Sequence, residues 1–310
     1  MPIATSSRNV RIHYDVHEPH GEPRCAPVVL IQGLGLSSRF WFDLPARLAA
    51  DPKCPYRVIT LDNRGTGRSD KPRGPYRMRD MADDVASVLD AVGARHAIVV
   101  GISMGGMIAQ SVALRHPQRV DGLVLLATTP GLPHGKLPRL SALAALLTVP
   151  FARSRGSRAL ARLLLPDDAI DRAAEILREW PAAFREHPIS AAAFFAQLAA
   201  AATHSTGFLL KRVEVPTVIV TGEHDVLIPP VNSEILARRL RRSVLEVVPG
   251  AAHALPMTDE RVVERALERL EELRVSPPPP DELGSLLDKL GERLGAVFEA
   301  VRGLRTAGSH

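Results

Sequence analysis

The chain is short of cysteine, aromatic residues and lysine. Two cysteines, Cys25 and Cys54, in 310 residues are too few for a disulfide framework or a four-cysteine zinc site. Aromatic residues make up 4% and are not interleaved with basic runs, so no stacking platform for nucleic acid is legible. Lysine occurs five times, and scattered arginines carry the net charge of +5 without forming a basic patch. Charge, proline or glycine interrupts every apolar run before the roughly 18 residues that read as a membrane-crossing helix. The first eleven residues have no apolar stretch ahead of a small-residue cleavage site, so the expected compartment is the cytoplasm. No metal, nucleotide or flavin motif is readable, and no cofactor is expected.

What is present is globular: 45% hydrophobic, 24% charged, and long enough to bury a large core. Short apolar runs at 27–31, 56–61, 97–100 and 122–126 end in turn residues and read as buried strands. Helical spacing fills 81–92 and 107–115 between them. Alternation of this kind predicts an α/β fold, with a mostly parallel sheet flanked by helices. After 131 the chain turns Ala-, Leu- and Arg-rich, with helical spacing at 157–165 and 170–180 and no strand. Strand pattern returns at 215–220 and 244–248, and a closing helix is expected over 260–273. The predicted sheet domain is therefore split, 1–131 and 212–275, around a helical block at 132–211. A proline run at 277–280 then forms a stiff spacer.

The motif with chemical content is Gly101–Ile102–Ser103–Met104–Gly105, a G-x-S-x-G. It follows one apolar strand and opens a helical pattern, the setting in which a sharp strand-to-helix turn presents a serine hydroxyl above a sheet. Four further segments stand at strand ends: Gln32–Gly33–Leu34–Gly35, Asp62–Asn63–Arg64–Gly65–Thr66–Gly67–Arg68–Ser69, Gly222–Glu223–His224–Asp225 and Gly250–Ala251–Ala252–His253. A serine hydroxyl needs a base to take its proton, and a carboxylate to orient that base. Loops at the carboxyl ends of parallel strands converge on one edge, so Ser103, Asp225 and His253 can meet there.

With these segments in this order, residues 10–275 resemble the α/β-hydrolase family, in its serine-esterase and enol-lactonase branch. The resemblance implies a catalytic Ser103, Asp225 and His253, with the backbone N–H groups of Leu34 and Met104 as the oxyanion hole. Many members carry His-Gly where this chain has Gln32–Gly33, a departure that bears on substrate class, since the donor there is a backbone group. Of the eleven histidines, His253 alone has the spacing and context of the base. His224 is expected to point away from Asp225, and His204 falls in the inserted block. Asp62, Arg64 and Ser69 read as structural, holding a glycine turn.

The inserted block is similar to the family's lid. Its Leu140, Leu146, Leu147, Phe151, Phe184, Phe194 and Phe195 suit either an apolar acyl pocket or the lid's own packing, and Trp41 and Phe42 are candidates for the same pocket. In the tail, apolar residues recur at helical spacing from Leu283 to Val301. They predict an amphipathic helix that docks on its own domain or on a second copy, in the latter case making a homo-oligomer. Mixed charge on its polar face argues against a membrane. The expected partner is a small-molecule ester or lactone with an apolar acyl part. The other readings are a C–C bond hydrolase, a cofactor-free peroxidase, and a non-catalytic ligand-binding member of the fold.

Overall fold

The structure is a computed structural model and describes residues 2–6, 8–19, 21, 25–149 and 158–275, with backbone alone for 158–160. The strands are β1 (Ile3–Thr5), β2 (Arg11–His17), β3 (Val28–Ile31), β4 (Val58–Leu61), β5 (Ala97–Ile102), β6 (Val120–Leu126), β7 (Thr217–Gly222) and β8 (Ser243–Val248). They form one sheet in the order β1-β2-β4-β3-β5-β6-β7-β8. From β4 to β8 every pairing is parallel, while β1 and β2 add an antiparallel hairpin at one edge.

The central strands are apolar on both faces because helices cover both. In β3, Val29 and Ile31 face one core while Val28 and Leu30 face the other. β5 repeats the division, with Val99 on the first side and Ile98 and Val100 on the second. The first core is covered by α2 (Met78–Ala91) through Met81, Val85 and Val88, and by α3 (Met104–Arg115) through Ile108 and Val112. The second is covered by α1 (Leu44–Ala49) through Leu44 and Leu48, and by α11 (Val262–Val275) through Val263, Leu267 and Leu270. Each such aliphatic side chain contributes about 1.5–3 kcal/mol when fully buried. Cys25 and Cys54 are joined as a disulfide, their Cα atoms 6.2 Å apart.

The β1–β2 hairpin was not foreseen. Its inward positions include His13, which is fully buried among polar neighbours, and this interrupts the apolar alternation that marks a strand in sequence.

Between β6 and β7 the chain leaves the sheet for α4 (Leu140–Thr148), α5 (Arg158–Leu164), α6 (Ala173–Ile176), α7 (Trp180–Glu186) and α8 (Ala191–Ala202). An antiparallel bridge between Gly131 and Ser205 closes the neck of this insertion, which packs into the same compact unit as the sheet. The single helix expected over 170–180 is instead a 3-10 turn (Asp167–Arg172), the one-turn α6, and the start of α7. Pro181 lies in the first turn of α7, where its missing N–H costs nothing, whereas a longer helix running through it would lose a hydrogen bond. After β7 come α9 (Val231–Arg239) and α10 (Leu255–Thr258).

The tail helix expected from Leu283, its docking partner and Phe151 lie outside the described residues. No described helix is long and apolar enough to cross a membrane.

Candidate active site

Ser103 sits between β5 and α3 with φ 55° and ψ −119°, a left-handed conformation that costs a non-glycine residue of order 1–3 kcal/mol. The fold holds it there. Its N–H donates to the Leu126 carbonyl at 2.9 Å, and the Thr128 hydroxyl donates to its carbonyl at 2.8 Å. The flanking glycines are required by close approach. A Cβ on Gly101 would strike the Gly105 carbonyl, one on Gly105 would strike the Ile31 carbonyl, and one on Gly106 would lie 2.6 Å from Thr128. The strained serine thus stands where three strands and a helix start crowd together.

Asp225 follows β7 and His253 follows β8, and both are buried. Asp225 Oδ1 accepts the N–H groups of Leu227 and Ile228 at 2.9 and 2.8 Å. Its Oδ2 lies 2.8 Å from His253 Nδ1. With the carboxylate ionised, that contact makes Nδ1 the protonated nitrogen and leaves Nε2 as the basic one. His224 points elsewhere: it is exposed and lies near Glu223. Ser103 and His253 line the same cavity, of about 250 Å³.

The loop after β3 forms the cavity's other lip. Among the described residues, the N–H groups of Leu34 and Met104 meet no protein acceptor, while the N–H groups of Gly33 and Gly35 do. Gln32 is buried on the cavity wall. Its Oε1 accepts the Gly33 N–H at 3.2 Å, and its carbonyl accepts Asn63 Nδ2 at 3.0 Å. Asp62 is fully occupied by structure: Oδ1 accepts the Ser38 N–H and hydroxyl at 2.7 and 2.8 Å, and Oδ2 accepts the Arg68 N–H at 2.8 Å.

Two expected pocket residues lie elsewhere. Trp41 is buried in the core under the sheet, and Phe42 packs at the insertion's cluster without lining the cavity. The short 3-10 turn Ser38–Trp41 rotates successive residues to different sides, so Phe40 is the one that reaches the wall. From the insertion, Leu146, Phe184 and Phe194 line the cavity. Leu140, 84% exposed, and Leu147 and Phe195 face outward.

Sequence reasoning passed over His204. It is buried on the cavity wall, and burial pushes its pKa down to about 4 against a bond to the Thr129 backbone. Its Nε2 lies 3.3 Å from the Thr206 hydroxyl, which donates to Gln110 Oε1 at 2.6 Å. Nothing in the local sequence separates it from His134 and His187, because its burial arises from the Gly131–Ser205 bridge beside it. Among the described residues Lys136 is the one lysine on the wall, and it is itself exposed to solvent.

Comparison with known proteins identifies the fold. The profile of the α/β hydrolase fold family matches residues 26–260. A protein of Variovorax paradoxus, provisionally named carbamate hydrolase RutD, is 32% identical over 259 residues, 83% of this chain and 94% of its own. A poly(3-hydroxyalkanoate) depolymerase of Ectopseudomonas oleovorans is 29% identical over 239 residues, 74% of this chain and 78% of its own. The crystal structure of the enol-lactonase of Burkholderia xenovorans LB400 superposes with a TM-score of 0.74 at 22% identity, covering 87% of this chain and 100% of that one.

Proposed function

The chain belongs to the α/β-hydrolase fold family, and from that premise we propose that it hydrolyses a carboxylic ester or lactone through an acyl-enzyme. One observation carries the reading. A serine strained into a left-handed turn shares its cavity with a histidine whose Nδ1 is bound to a buried carboxylate.

In the proposed reaction, His253 Nε2 takes the proton of Ser103 Oγ as the oxygen attacks the acyl carbon. Asp225 stabilises the imidazolium and keeps it in register. The carbonyl oxygen, now an anion, accepts from the Leu34 and Met104 N–H groups, which are fixed before the reaction begins. Collapse breaks the bond to the leaving oxygen, and His253 returns the proton to it. Water then repeats the sequence on the acyl-serine: His253 deprotonates the water, the acid departs, and Ser103 Oγ regains its proton.

The insertion acts as a lid over the cavity in this reading. Its wall is largely aliphatic and aromatic, which favours an apolar acyl group over a small polar carbamate. The named activities of the relatives, on a carbamate and on a polyester, support cleavage of an acyl–heteroatom bond.

The test is hydrolysis of a chain-length series of p-nitrophenyl esters by the wild type and by Ser103→Ala. Turnover by the wild type that is lost in the variant is the expected result. No turnover of any ester by a folded wild type overturns the esterase reading, leaving a C–C bond or a ligand-binding role.

A further inference from the structure

Gln197, in the middle of α8, is 0% exposed and spends its side-chain amide on two loops of the sheet domain. Its Oε1 accepts the Gly35 N–H at 2.9 Å, and its Nε2 donates to the Arg64 carbonyl at 2.8 Å. A lid helix thereby reaches both the loop after β3 and the turn after β4.

The first of these bonds has a geometric consequence. Gly33, Leu34, Gly35 and Leu36 form a tight turn in which the Leu36 N–H donates to the Gly33 carbonyl at 3.3 Å. Gly35, the third residue, has φ +77°, as a turn with glycine in that place requires. The Gly33 carbonyl and the Leu34 N–H belong to one trans peptide and point in opposite directions. Holding that carbonyl inside the turn therefore aims the Leu34 N–H out of it. The central peptide of the turn carries the Gly35 N–H, and that is the group Gln197 holds. A flip of this peptide alone would change the turn type without turning the Leu34 N–H, so the Gln197 bond acts on that N–H by fixing where the whole turn sits against the insertion.

Gln197 is itself well anchored. Arg64, whose carbonyl it meets, forms a buried two-point ion pair with Asp84 of α2, at 2.7 Å for each bond. The same helix face leaves the glycines no slack: a Cβ on Gly35 would lie 3.2 Å from Phe194, and one on Gly65 would lie 3.3 Å from Ala193.

We propose that Gln197 is a positioning residue, fixing the Gly33–Leu36 turn so that the Leu34 N–H is aimed at the oxyanion before substrate arrives. The proposal rests on the serine-hydrolase reading above. It makes the seating of the lid a condition for a complete oxyanion hole, beyond the lid's role as a wall.

The experiment compares wild type, Gln197→Met and Gln197→Glu, with Gln197→Asn as a milder change. kcat and KM are read on the best p-nitrophenyl ester, binding of an alkylboronic acid by inhibition, and Tm by circular dichroism. The boronate adds to Ser103 Oγ as a tetrahedral anion, so the change in its affinity between variants, with the alkyl group held constant, reports the oxyanion donors. Removing an oxyanion donor outright costs about 10²–10³-fold, and misaiming one is expected to cost about 10–100-fold. The expected result is that loss in kcat and in boronate affinity for Gln197→Met and Gln197→Asn, with KM within about threefold of wild type. Gln197→Glu keeps an oxygen for the Gly35 N–H but turns its second oxygen on the Arg64 carbonyl in a buried site, so it is expected to lose as much as Gln197→Met. Boronate affinity and kcat unchanged in a folded variant, whatever its Tm, overturn the proposal and make Gln197 a packing residue. Should Gln197→Met fail to fold, Gln197→Asn decides by the same two readouts. A wild type that neither turns over esters nor binds boronate instead overturns the underlying reading, and this proposal falls with it.

Discussion

Ala254, the residue after His253, donates its N–H to the Leu164 carbonyl at 2.9 Å, so the loop that bears His253 is tied to the end of α5. A second tie lies one turn on, where Trp180 Nε1 approaches Met257 Sδ at 3.4 Å. Trp180 also stacks edge-on against Phe40, with ring centroids 5.0 Å apart. The insertion therefore braces the His253 loop from one side, as α8 braces the loop after β3 from the other.

Trp180→Ala tests that bracing. Emptying a buried aromatic site costs about 3–5 kcal/mol, read as a lower midpoint in urea. At a temperature where the variant is still folded, kcat is expected to fall as well, because the cavity opens beside the His253 loop. A stability loss with unchanged kcat would make the Ala254–Leu164 bond sufficient by itself.

Asp225→Asn probes the orientation of the proposed base, His253. The side-chain oxygen can still accept the Leu227 and Ile228 N–H groups, so the loop keeps its shape. The amide nitrogen would then face His253 Nδ1 with a hydrogen of its own, favouring the tautomer that leaves no base toward Ser103. A drop in kcat of about 10³–10⁴ with an unchanged Tm is expected. A drop under tenfold would assign the orientation of His253 to another group.

Much of this candidate site was legible in the sequence because strand ends are local. Ser103, Asp225 and His253 each follow an apolar run directly, and a glycine-flanked serine has few other uses. The contributions of the insertion were not legible, since Gln197 and His204 acquire their surroundings from contacts with Gly35, Arg64 and Thr129 far away in sequence. Trp41 and Phe42 were misplaced for a related reason: a 3-10 turn of four residues carries too little periodicity to say which ring faces the cavity. In β2, His13 and Asp15 hid the strand, because their burial and pairing depend on Asp62 and Arg68 across the sheet.

His204 predicts a pH dependence of stability. Its pKa falls from 6.5 to about 4 through burial, so the folded state keeps it neutral where the unfolded chain takes up a proton. The stability is present in full above pH 6.5 and is lost progressively as pH falls toward 4. The loss is on the order of 3 kcal/mol for this group. His204→Gln should abolish that part, so the difference in unfolding free energy between pH 7 and pH 4.5 shrinks in urea titrations. An equal acid loss in variant and wild type would place the sensitivity in other groups.

The acyl slot can be located by filling it. Leu146 and Leu198 pack with Ile189 and Phe194 in a small cluster that also takes in the Leu34 side chain, so an acyl chain running along it would start beside the proposed oxyanion donors. Leu146 is half-buried, which leaves room for a larger side chain without overpacking the core. Leu146→Phe should cut kcat/KM for the longest accepted p-nitrophenyl ester by roughly tenfold or more, since each methylene refused is worth about 1–3 kcal/mol. Acetate and butyrate esters should be turned over as before. Equal rates on every chain length would send the acyl group toward the other side of the cavity, where Phe40, Trp180 and Phe184 meet, and Phe184→Ala would then lengthen the preferred chain instead.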